Sequence, residues 1–253
     1  MEADEILKQA IRVYLSGNGL VVTEVERSNT EKRPDFIVRA GEVVSIVELK
    51  TKGEDEAEIR SRNSILDSGA VFIRHEDSLR RNRLSALIRD GVKQLSAYSI
   101  DGTPFRLLWL HSTGPYASVM MERFQTTLYG SREIIHTEKQ LANRWCYYFD
   151  NSDFFRFRDL LDGAIISQDG SARFCINDLS PRAQELRLSC LPIKMANAYC
   201  DPTEFESANQ AYIVDGDVDR LAPDAIKTYL KNKYGCGEIL DLNMKHYSGM
   251  IDT

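Results

Sequence analysis

Two runs of strand-forming residues, Asp35 to Ala40 and Val43 to Lys50, are separated by Gly41-Glu42 alone. A two-residue loop with glycine first marks a tight antiparallel hairpin closed by a type II′ turn. That turn fixes the register: Ala40 pairs with Val43, and counting outward puts Asp35 opposite Glu48. Two carboxylates about 5 Å apart on one face repel each other. Lys50, two residues further on, returns to the same face. A divalent cation, which takes hard oxygen ligands, offsets such a repulsion. A lysine beside it can orient water or steady phosphate charge. The alternative is an ordinary hairpin whose Glu48 and Lys50 lie on a solvated face. If the two carboxylates simply repel, the metal-free Asp35→Asn variant is expected to be no less stable than the native chain.

Pro34-Asp35, twelve intervening residues, then Glu48-Leu49-Lys50 resembles the signature of the PD-(D/E)XK nuclease superfamily. The resemblance implies an α/β fold of the restriction-endonuclease-like kind: a central mixed sheet flanked by helices. It implies Mg²⁺ or Mn²⁺ held by Asp35, Glu48 and the backbone carbonyl of Leu49, with Lys50 beside the scissile phosphate. Members of this group often carry an acidic residue on the first helix; Glu5 is the candidate here and Glu2 the alternate. Both also suit a helix N-terminus as first-turn charges. Further on, Gln94-Leu95-Ser96-Ala97-Tyr98 resembles the Q-x-x-x-Y motif of the RecB-like and lambda-exonuclease-like branch. One helical turn separates Gln94 from Tyr98. The resemblance implies that Gln94 holds the lysine or a phosphate and that Tyr98 contacts a nucleic-acid backbone; packing of Tyr98 in the core is the alternative.

The 253 residues suffice for one large domain or a core with an appendage, and 43% hydrophobic with 28% charged content describes a soluble, globular chain. No apolar run is long enough to span a membrane. The acidic N-terminus, Met-Glu-Ala-Asp-Glu, lacks the basic start of a signal peptide, so a cytoplasmic protein is expected. Five cysteines without C-x-x-C spacing read as free structural thiols rather than a zinc site. The net charge of −6 weighs against a protein that coats nucleic acid, but not against an enzyme with a local basic groove. Such a groove is suggested by Arg80, Arg81 and Arg83 in a locally basic stretch, with Lys52 after the hairpin. Phosphate contacts and a merely solvated helix face both remain open there.

In chain order, Asp4 to Leu15 is expected to be a helix with Ile6, Ala10, Ile11 and Tyr14 inward, followed by a strand from Leu20 to Val25. After the hairpin, residues 53–69 read as a polar surface excursion, and residues 70–73 stay undecided between strand and loop. Helix 77–99, strand 105–111, helix 116–126 and a strand over 128–135 follow. Residues 1–135 then form the nuclease-like core, and 136–253 an α+β extension of unassigned role. Strands 147–149, 163–167 and 172–177, and a helix from Pro223 to Tyr234, are expected there. That half can extend the core sheet, form a specificity element or build a homodimer surface. Asp215 to Asp219 lacks the glycine and glutamate that a calcium loop needs. The functional expectation is a Mg²⁺- or Mn²⁺-dependent deoxyribonuclease; the rival is a catalytically silent module that binds nucleic acid or a protein.

Overall fold

A computed structural model describes residues 3–26, 28, 32–77, 82–136, 143–242 and 247–252. The first half contains α1 (Ala3–Gly17), β1 (Val21–Glu24), β2 (Phe36–Ala40), β3 (Val43–Lys52), α2 (Glu56–Asp67), β4 (Phe72–Asp77), α3 (Asn82–Ala97), β5 (Phe105–Ser112), α4 (Ala117–Tyr129) and β6 (Arg132–His136). There follow β7 (Asn143–Tyr147), α5 (Asp153–Arg156), β8 (Gly163–Gln168), β9 (Ser171–Ile176), α6 (Ala183–Leu188), α7 (Leu191–Met195) and β10 (Ala198–Cys200). The chain closes with α8 (Pro202–Ser207), β11 (Ala211–Ile213), α9 (Pro223–Tyr234), β12 (Ile239–Asp241) and β13 (Tyr247–Asp252).

The fold is α/β, built on a mixed seven-stranded sheet in the order β1-β2-β3-β5-β8-β9-β10. A second sheet, β11-β7-β6-β12, and a β13-β4 ribbon accompany it. The central sheet crosses residue 135, because β8, β9 and β10 come from the second half of the chain. Parallel pairing of β3 with β5 and of β5 with β8 demands crossover connections, which α3 and α4 supply. Alternate residues of β5 separate the two faces of the sheet. Leu107 and Trp109 pack with Ile11 and Leu15 of α1 and with α6 and α7, while Leu108 and Leu110 pack with α3 and α4. The second face is continuous with the small sheet and α9, so Ile134, Tyr212 and Leu230 share one core with Leu110.

The hairpin has the register expected from its loop, running from Ala40↔Val43 to Phe36↔Val47. Of the two loop residues only Gly41 has positive φ, at 62°. Other expectations are corrected. Residues 56–67 form a helix with no buried residue. No apolar periodicity marks it, and Arg62 anchors its flank through a two-pronged bond to Glu54. The helix expected over 77–99 is shorter, since residues 72–77 form β4 and pair with β13. Leu128 and Tyr129 belong to α4 rather than to a strand, and Gly130 ends the helix at φ 56°. Strand β7 stops at Tyr147, because Tyr148 turns the backbone at φ 62°. In α1 the buried residues are Lys8, Ile11 and Leu15, with Leu7 partly buried beside them, whereas Ile6, Ala10 and Tyr14 are exposed.

Candidate active site

Glu48 and Lys50 project from β3 under α3. The lysine ammonium donates to Glu48 Oε1 at 2.7 Å and to Gln94 Oε1 at 2.5 Å. Helix α3 comes this close because residue 91 is glycine. A Cβ there would lie 2.6 Å from Leu108 Cδ2, 3.5 Å from Lys50 Cε and 3.6 Å from Glu48 Cγ. Glu48 is only 2% exposed, and its Oε2 is buried with no hydrogen-bond partner. Burial, then the charge of Asp35, pushes its carboxyl up to about 7, against the pull of Lys50 and Lys8.

Asp35 stands just beyond Phe36↔Val47, the last pair of the hairpin ladder. Its backbone N–H donates to Val47 O at 3.0 Å, and its Oδ2 accepts the N–H of Leu49 at 2.8 Å. Its other oxygen meets a residue the sequence did not signal. Lys8, 3% exposed on α1, places Nζ 2.6 Å from Asp35 Oδ1 and 3.8 Å from Glu24 Oε1. Two lysines therefore face the two carboxylates. Lys8 was hidden because a charged residue on a helix is read as part of its solvated side.

No family model, characterised protein or solved structure matches this chain at a significant level. What the site can do is therefore judged from its own geometry. Asp35, Glu48, Leu49, Lys50 and Gln94 line one open cavity of about 430 Å³, joined by Asp4, Lys32 and Arg33. Asp4, not Glu5, is the acidic residue of α1 on that lining; Glu5 is half-buried on the same first turn. Tyr98 falls one residue past α3 and packs against the core. Lys52 and Arg83 line a separate cavity of about 410 Å³, with Lys52 3.0 Å and Arg83 3.7 Å from Asp55. Glu2, Arg80 and Arg81 lie outside the described residues. Asp77, expected to open the basic helix, lies instead at the end of β4.

Among the described residues no group of three or more carboxylates, imidazoles and thiols is arranged to hold a metal. The Asp35–Glu48 pair nonetheless fits a magnesium-type ion, which binds through one or two carboxylates and keeps most of its waters. The unpartnered Glu48 Oε2 is a buried oxygen that such an ion could take as a ligand. Lys8, in turn, engages Asp35 Oδ1, one of the oxygens the pair would offer such an ion.

Proposed function

We propose that the chain is a metal-dependent nuclease of the PD-(D/E)XK type that hydrolyses phosphodiester bonds, with DNA as the substrate. The observation that carries this reading is the Lys50 ammonium fixed between Glu48 and Gln94 while Glu48 Oε2 stays buried and unpartnered. A buried carboxylate oxygen without a partner is costly, and functional sites are where such costs are tolerated.

Mg²⁺ or Mn²⁺ held by Asp35 and Glu48, with the Leu49 carbonyl as a further ligand, would supply Lewis acidity toward the phosphate and activate water. Lys50 stabilises negative charge growing on the phosphate, and Gln94 keeps its ammonium aimed rather than free to rotate. Glu48 must shed its proton to serve as a ligand, so the site works best above about pH 7. Lys32 and Arg33 on the cavity lining supply positive charge for the phosphate backbone.

One observation favours a second reading, a nuclease-fold module that binds without cutting. Lys8 already neutralises Asp35, so the two carboxylates are balanced without an ion. An assay of linear duplex, circular duplex and single-stranded DNA, with RNA alongside, in Mg²⁺, Mn²⁺ or chelator separates the two. The nuclease reading expects cleavage of at least one DNA form with metal and none with chelator. Binding without cleavage in every metal condition would favour the silent module.

A further inference from the structure

Away from this site, strands β9 and β10 lie parallel, and their register sets Cys175 directly beside Cys200. Neighbouring strands are about 4.8 Å apart, within the Cα separation that a disulfide spans. Both thiols are free and both belong to the same face of the sheet. Cys200 also forms part of the wall of a cavity of about 450 Å³, lined by Arg173, Trp145 and Tyr199 among others. Strand β10 is three residues long and ends the seven-stranded sheet, so among the described residues no strand pairs with its outer side. As a short edge strand, β10 can shift toward β9 more readily than a strand paired on both sides.

We propose that Cys200 and Cys175 are an oxidisable pair, in which a hydroperoxide entering this cavity oxidises Cys200 and Cys175 then closes a disulfide that staples β10 to β9. The chemistry balances with the peroxide as sole oxidant. The Cys200 thiolate attacks one peroxide oxygen and the O–O bond breaks. Cys200 becomes a sulfenic acid, and the departing hydroxide or alkoxide takes up the thiol proton as water or alcohol. The Cys175 sulfur then attacks Cys200. An S–S bond forms, the S–O bond breaks, and the hydroxyl leaves with the Cys175 proton as water.

The roles are unequal in the right direction. Interaction with Cys175, then with Tyr129 and Tyr147, and the charge of Arg173 hold the Cys200 thiol below its ordinary value despite burial. The Tyr147 hydroxyl lies 3.9 Å from Cys200 Sγ. Burial raises Cys175 well above the ordinary thiol range, so it remains the proton donor of the pair. Cys146 is equally buried, but burial raises it too, and its neighbours across the ladder are Tyr212 and Arg132 rather than a thiol.

The test uses the full-length protein, reduced and then treated with a small excess of hydrogen peroxide. Thiols are counted after unfolding and the disulfides mapped by peptide mass. The expected result is a fall from five free thiols to three, a mass lower by two hydrogen atoms, and a Cys175–Cys200 linked peptide. In Cys175→Ala, dimedone should instead trap a sulfenic acid at Cys200. The native map decides the matter even if that variant fails to fold. Oxidation confined to the exposed Cys190 or the half-buried Cys236, with Cys175 and Cys200 still reduced, would overturn the proposal. None of these outcomes depends on nuclease activity.

Discussion

At the scale of single residues, the Asp35–Lys8 contact reverses what carboxylate repulsion alone predicts. Asp35→Asn does relieve Glu48 of a like charge. It also leaves the Lys8 ammonium, 3% exposed, with Glu24 at 3.8 Å as its one remaining ion pair among the described residues. Breaking one side of a buried ion pair costs about 3 kcal/mol, so chemical denaturation should find the metal-free variant less stable than the native protein, not equal to it. An unchanged midpoint would mean that Lys8 does not depend on Asp35. Glu48 behaves in the opposite sense. Its folded carboxyl titrates near 7 against an ordinary 4.5, so between those values the folded chain keeps a proton that the unfolded chain has released. Its contribution to stability is full below about 4.5 and is lost as the pH rises to about 7. Glu48→Gln, neutral throughout, should therefore gain on the native protein across that window, by on the order of 1 kcal/mol or more. A constant difference between the two from acid to neutral pH would contradict the raised carboxyl.

Among the elements, α3 sets the geometry of the site. Gly91 costs helix propensity of about 1 kcal/mol relative to alanine, yet alanine would force its methyl to within 2.6 Å of the buried Leu108. Overpacking a closed core costs about 1–3 kcal/mol, so Gly91→Ala should lower the melting temperature despite the better helix former. It should also weaken activity, since moving α3 off β3 separates Gln94 from Lys50. A stabilised and fully active variant would mean that the close approach has no functional weight. The hairpin was legible because turn chemistry and a two-residue period fix register locally. Helix α2 was not, because with no buried residue it carries no periodic signal. Strand β4 was also obscure: its partner, β13, lies at the far end of the chain, and no local pattern announces such a pairing.

For the whole molecule, the shared face of Asp35, Glu48 and Lys50 was foreseeable from the hairpin's register, whereas the meeting of Gln94 with Lys50 was only what the family resemblance implied. Lys8 and Asp4 were not, because α1 approaches through tertiary packing and its buried face lies one notch round from the stripe its apolar residues suggest. Three strands of the central sheet come from the second half, whose own sequence offers turns and caps but no motif. Metal must displace the Glu48 proton, so a Mn²⁺-induced rise in melting temperature should be small at about pH 5.5 and full at about pH 8. An equal rise at both would remove Glu48 from the ligand set. The most direct test is single-turnover DNA cleavage by native protein, Glu48→Ala and Lys50→Ala, prepared side by side and shown to be folded, in Mn²⁺ and in chelator. Metal-dependent cleavage by the native chain is expected, with a loss on the order of 10³-fold or more in each variant. Near-native cleavage by either variant, or no cleavage of any DNA form by the native protein with metal, would contradict the nuclease reading.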